Sequence, residues 1–259
     1  MRALHVSREH KGISTVAEWV TSLRAEGSLA ANSSNLDNFL RGYAVNWWPT
    51  AGVIDFPPVG AMETAICQPF VTAKINEIAS SNGQVYRKML GDTNAYYAQA
   101  NERVEFRSIP VDGHAVVSYS DRKPDIPCYT GVRRGGCSIT LLGDVKGCGP
   151  RNKDFPESEV GHILDMGTDL MTKEQFTRTF LICFLTDGYR FQFFRCSRSQ
   201  RGDGIRYEQS AVYGGEHGWQ VLCEIFHPYV INLTLMHANR YFSDCLFLQL
   251  KSWDLLRLI

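Results

Sequence analysis

The chain carries no net charge, because 27 Lys and Arg are matched by 27 Asp and Glu across 259 residues. A domain that coats DNA is usually basic, so this balance counts against bulk attraction and leaves room only for local phosphate contacts. The eight cysteines contain no CxxC pair and no close Cys/His cluster, which argues against a zinc site. No serine stands in a Gly-x-Ser-x-Gly setting, and no Cys/His pair suggests a nucleophile. The glycine-rich stretch Gly143 to Gly149 lacks the Gly-Lys-Ser/Thr element of a phosphate-binding loop. No apolar run is long enough to span a bilayer, and Met1 to Lys11 mixes charges without the apolar stretch of a signal peptide. These absences point to a soluble intracellular protein, nuclear or cytoplasmic, with no membrane contact.

What is present describes a packed globule: 44 % of residues are apolar and 12 % aromatic. Several cysteines fall inside apolar runs, such as Leu181-Ile182-Cys183-Phe184 and Val221-Leu222-Cys223. Buried free thiols are the expectation, rather than a disulfide framework.

Apolar spacing predicts the elements. Val16, Trp19, Val20 and Leu23 mark a helix, which Gly27 to Ser34 breaks before a short helix over Asn35–Tyr43. Gly52 to Gly60 reads as a connector, which sets a boundary between an N-terminal helical extension (1–58) and a core domain (59–259). Ala61 to Ser80 suits a helix, with Pro69 kinking it or marking its first turn. Val85 to Gln99 suggests another. Arg103–Ile109, Ala115–Ser120, Pro124–Tyr129 and Cys137–Val145 are strand-like, and Glu157–Met171 returns to helical spacing. Thr186-Asp187-Gly188 between two apolar runs signals a hairpin. Arg206–Tyr213 is a further strand and Glu216–Phe226 a helix. The aromatics Phe191, Phe193 and Phe194 read as core rather than as a base-stacking platform.

Chemistry concentrates on two of these strands. Pro124-Asp125-Ile126 and Gly143-Asp144-Val145-Lys146-Gly147 place two acids and a lysine on neighbouring β segments. Carboxylate oxygens are hard ligands suited to Mg²⁺ or Mn²⁺. Lys146 lies two residues beyond Asp144, so a strand projects both from one face. There it is placed to orient or deprotonate a water, or to neutralise charge on a reacting phosphate.

The order helix, strand, strand, strand, helix, strand from residue 61, with Pro124-Asp125 and Asp144-Val145-Lys146 on the second and third strands, resembles the PD-(D/E)XK nuclease superfamily. That resemblance implies an α/β (α+β) restriction-endonuclease-like core, a central mixed sheet flanked by helices. It implies metal-dependent hydrolysis of phosphodiester bonds in DNA, or in RNA. Mg²⁺ or Mn²⁺ would be held by Asp125, Asp144 and the main-chain carbonyl of Val145, with Lys146 beside the water. The family often adds a glutamate from the opening helix, for which Glu63 is the first choice and Glu77 the second. The stretch Phe184 to Arg195 is also similar to the segment after the nuclease-like domain of kinase-associated eukaryotic proteins, crinkler-type effectors among them. No kinase glycine loop follows residue 226.

Basic residues near these strands suggest a nucleic-acid track: Arg133 and Arg134 between them, Arg151 and Lys153 after them, and the run Arg195, Arg198, Arg201 and Arg206. The bland reading of that run is a solvated hairpin end. DNA is the expected partner ahead of RNA, and a homodimer or a protein partner is left open. The alternative reading is a catalytically silent nuclease-fold module that binds nucleic acid or a protein.

Overall fold

Helix α1, Val16–Ala25, begins where the sequence supplies a cap. The Glu18 N–H donates to Thr15 Oγ1 and the Thr15 N–H donates to Glu18 Oε2, both at 3.2 Å. This reciprocal pair satisfies two of the donors that every helix start leaves open. In this computed structural model the residues described are 15–41, 54–78, 96–98, 105–107, 117–119, 124–130, 139–173, 179–199 and 204–225. Arg133, Arg134 and Arg201, predicted to touch phosphate, lie outside them.

Strand β1 (Leu29–Ala30) follows α1, inside the stretch expected only to break it, and α2 covers Ser34–Arg41. Helix α3 occupies 68–78 and opens with a wider π turn at Glu63–Cys67. Pro69 therefore sits in the first turn of the α-helical part, where its missing N–H costs little. Three short strands come next, β2 (Tyr96–Ala98), β3 (Glu105–Arg107) and β4 (Val117–Tyr119). Then come β5 (Ile126–Thr130), β6 (Ile139–Val145), α4 (Glu157–Lys173), β7 (Phe180–Thr186), β8 (Arg190–Arg198), β9 (Ile205–Gly214) and α5 (Gly215–Ile225).

The expected helix over Val85–Gln99 is corrected at its end, where Tyr96–Ala98 is a strand paired with Thr130–Cys128 of β5. Two consecutive tyrosines favour a pleated surface, and the free edge of β5 supplies ladder bonds that helical spacing cannot predict. The meander is also longer than expected, since β3 and β4 pair with each other in a separate two-stranded ribbon. The acids and the lysine consequently stand on the fourth and fifth strands after α3, not the second and third.

The main sheet runs β1-β9-β8-β7-β6-β5-β2 and is mixed. β6 and β7 are parallel, joined by α4, as are β1 and β9; the other pairs are antiparallel. This is an α+β architecture with helices on both faces. On one face Trp19, Val20 and Leu23 of α1 pack with Val160, Ile163 and Leu164 of α4 over Leu142, Leu181, Cys183 and Leu185. On the other, α2, α3 and α5 cover Leu141, Val145, Ile182, Phe184, Phe191 and Phe193. The helices expected as an extension thus contribute apolar side chains to both layers.

Phe191, Phe193 and Phe194 are fully buried, as expected of core rather than of a stacking platform. Burial of each contributes about 1.5–3 kcal/mol. Gly143 makes room for Phe184, which packs against Phe191 and Phe193: a side-chain carbon there would fall 2.2 Å from the Phe184 ring. Six described cysteines (67, 128, 148, 183, 196 and 223) are free and buried, as the apolar runs suggested. Among the described residues, no helix is long and apolar enough to cross a membrane.

Candidate functional site

Alternation along β6 sets the site. Leu141 and Val145 point into one helical layer and Leu142 into the other, so Asp144 shares the α1/α4 side with Leu142. Across the β5–β6 pair Ile126 stands opposite Gly143, and one step further Asp125 comes opposite Asp144. Like charges directly opposed repel. Here Asp144 therefore disfavours charge on the Asp125 carboxyl group beside it. Both are buried, at 8 % and 3 % exposure.

Two further contacts fix the pair. The Val145 N–H donates to Asp125 Oδ2 at 2.8 Å. Lys146 Nζ lies 2.8 Å from Asp144 Oδ2. That contact is an ion pair, too oblique to count as an aligned hydrogen bond. Burial pushes the Asp125 carboxyl up to about 8, reinforced by the neighbouring Asp144 and opposed by the Val145 N–H and Lys146. Burial works against the Lys146 ammonium, yet Asp144 beside it, then Glu63 and Asp125, outweigh that and hold its pKa above the usual lysine value. Lys146 is therefore a fixed positive charge at neutral pH. An ammonium held in that form can neutralise a nearby anion but cannot accept a proton.

The end of β6 is tied to the start of α3. The Cys148 N–H donates to the Ala61 carbonyl at 3.0 Å, and the Gly60 N–H to the Cys148 carbonyl at 2.7 Å. A side-chain carbon on Gly147 would lie 3.3 Å from the Ala61 carbonyl oxygen and 3.8 Å from the Glu63 nitrogen. Glycine thus lets the two backbones meet, and Glu63 comes to the site from the π turn. Glu77 does not: it is exposed, pairs with Lys74 at 2.8 Å, and lies about 20 Å further along the helix axis.

Two groups near the site went unread in the sequence. Glu159, half-buried in the first turn of α4, has its pKa raised by burial, with Lys146 opposing and Asp144 adding to the shift. Its signal was an acid in the turn after Pro156, which also fits an ordinary helix start. Arg190 is buried, with Nε 2.8 Å from Asp187 Oδ2. Its Nη1 donates to the Lys153 carbonyl and its guanidinium lies 4.5 Å over the Phe155 ring. The loop from Gly147 to Phe155 is clasped to the β7–β8 hairpin in this way.

The predicted basic track divides. Arg151 and Lys153 are exposed on that loop, and Arg151 stacks 4.2 Å over Tyr189. Arg195 donates to Glu208 at 2.6 Å and lies 5.5 Å over Phe39. It sits on β8 roughly 10 Å beyond Gln192, the residue level with Asp144, and on the opposite face. Arg198 donates to the Met171 carbonyl at 2.6 Å, about 10 Å further still. Neither meets the aspartates. His162 is exposed on α4.

Among the described residues, no three His, Cys, Asp or Glu side chains stand close enough together to hold a metal ion. The acidic centre is a pair, Asp125 and Asp144, with Glu63 and Glu159 around it. No protein-family model matches the chain, and no curated protein matches its sequence.

Proposed function

We propose that the chain is a metal-dependent nuclease with a restriction-endonuclease-like core, hydrolysing phosphodiester bonds of DNA, with RNA as a second substrate. The observation that carries this reading is the convergence of Asp125, Asp144 and Lys146 at one end of the β5–β6 pair. The order α3, strands β2 to β6, α4, β7 keeps the helix–strands–helix–strand sequence of the resemblance, with five strands in place of three before α4.

The acid pair fits a divalent cation chemically. Two buried carboxyl groups set opposite each other are two hard oxygen donors held together, and a cation between them would offset their mutual repulsion. Asp125, Asp144 and the Val145 carbonyl would hold Mg²⁺ or Mn²⁺, with Glu63 nearest as a further acid. Such an ion supplies polarisation of the scissile phosphate and a bound water of lowered pKa. Lys146 contributes a permanent positive charge beside the reacting phosphate, and the Val145 N–H fixes the orientation of the Asp125 carboxylate. Arg151 and Lys153 offer phosphate contacts on the adjoining loop.

Cleavage of labelled DNA and RNA by purified protein in Mg²⁺ or Mn²⁺ tests the reading. Asp144→Ala is expected to abolish cleavage with the circular-dichroism spectrum unchanged; a mutant that cuts as fast as wild type sinks the proposal.

One observation favours a second reading. Lys146 already engages Asp144, and among the described residues no third acid joins the pair closely enough to hold a metal ion. A silent module of the same scaffold, gripping nucleic acid or a protein, would keep this arrangement and show no carboxylate-dependent Mn²⁺ binding in calorimetry.

A further inference from the structure

Val59, Met62 and Ile66 are the large apolar side chains exposed among the described residues, at 58, 67 and 42 %. They crowd onto one short stretch at the start of α3. The Met62 carbonyl accepts from both the Ile66 N–H, at 3.1 Å, and the Cys67 N–H, at 3.2 Å. This widened turn is an uncommon geometry, often found where function needs it. Glu63 lies between Met62 and Ile66 in sequence, and the close approach of Gly147 sets the whole turn against the end of β6, next to Lys146.

A cation stands on the loop that Cys148 ties by hydrogen bonds to Gly60 and Ala61. The Arg151 guanidinium lies 4.2 Å over the Tyr189 ring, and Tyr189 meets Phe56 edge-on at 5.2 Å between centroids. The apolar side chains of Phe56, Met62 and Ile66 and the cations Arg151 and Lys146 thus stand on segments that these contacts hold together. Such a mixture suits a strand that offers an apolar base face and an anionic phosphate at each step. A neutral protein gains little affinity from bulk charge, so base contacts would have to supply much of it.

We propose that Met62 and Ile66 form an apolar wedge against which an unstacked base of the substrate strand rests, while Arg151 takes a flanking phosphate. The inference rests on the nuclease reading and narrows it: the substrate is single-stranded or locally opened polynucleotide rather than a rigid duplex. Apolar wedges of this kind lodge against separated bases in other nucleic-acid complexes.

The test uses the full chain and a single-stranded DNA oligonucleotide bearing 2-aminopurine, with Ca²⁺ in place of Mg²⁺. Wild type is expected to bind with a rise in fluorescence as the base leaves its stack. Met62→Ala with Ile66→Ala should bind about tenfold more weakly and lose that rise. Met62→Leu with Ile66→Leu should retain both, which separates an apolar contact from a folding defect. If the double alanine variant binds and brightens like wild type while both cut DNA in Mg²⁺, the wedge is overturned and the nuclease reading stands. If wild type neither binds nor cuts any oligonucleotide, both fall together. A wild-type dimer in sedimentation that Met62→Asp splits, with DNA affinity unchanged, would assign the surface to a second copy of the chain and overturn the wedge.

Discussion

Arg190 Nε lies 2.8 Å from Asp187 Oδ2 inside a turn where neither side chain reaches solvent. Asp187 also accepts from the Arg190 N–H at 2.7 Å and the Tyr189 N–H at 3.0 Å through Oδ1. Removing one partner of such a pair leaves the other charge buried and unmatched. Asp187→Ala is therefore expected to destabilise the fold by about 3–5 kcal/mol, read as a fall in the urea midpoint. A change under 1 kcal/mol would mean that water reaches Arg190.

Lys146 acts as a charge in this reading. Lys146→Ala is expected to slow single-turnover cleavage in Mg²⁺ by about 10²- to 10³-fold, the loss typical of one preorganised charge-stabilising group. Cleavage at the wild-type rate would remove Lys146 from the chemistry while leaving the carboxylate pair in place.

Stability should depend on pH through Asp125. Its carboxyl has a pKa of about 8 in the fold and about 3.9 in an unfolded chain. Between those values the native state holds a proton that the unfolded chain has released. Stability is thus fully present below about pH 4, falls as pH rises toward about 8, and levels off above. Asp125→Asn, which keeps an oxygen for the Val145 N–H, should flatten this slope in metal-free urea titrations. At pH 8.5 it should exceed wild type by on the order of 1–3 kcal/mol. Parallel pH profiles for the two proteins would refute the raised Asp125 carboxyl.

Helix α1 depends on a glycine of α4. A side-chain carbon at Gly161 would fall 2.6 Å from the Val16 carbonyl oxygen. Backbone cannot yield as a flexible side chain would, so Gly161→Ala should cost about 1–3 kcal/mol. Hydrogen exchange should show lost protection in Val16–Ala25 ahead of the sheet; unchanged protection there would mean that the helices separate at no cost.

The elements legible in advance were those with strong local signals. The spacing of Val16, Trp19, Val20 and Leu23 marked α1, the period of Val160, Ile163 and Leu164 marked α4, and Asp187-Gly188 marked the β7–β8 hairpin, where Gly188 adopts φ 89°. β2 was misread because three residues carry too little pattern to outweigh their neighbours. The parallel pairing of Leu29–Ala30 with β9 depends on a partner nearly two hundred positions away, which no local window contains.

Asp125, Asp144 and Lys146 were picked out by residue type and spacing, because a strand's two-residue period is a local property of the backbone. Which residues surround them was not local. Glu63 arrives because Gly147 lets α3 approach, Arg190 because a hairpin folds it beneath the loop, and Arg195 and Arg198 are carried to the far end of β8. Sequence alone determined the acid–acid–lysine set and the alternation that places it; the tertiary structure decided its neighbours, its burial and the raised Asp125 carboxyl. The physical reason is that side-chain direction follows from backbone geometry over a few residues. Desolvation and charge coupling depend instead on groups brought together across the whole sheet.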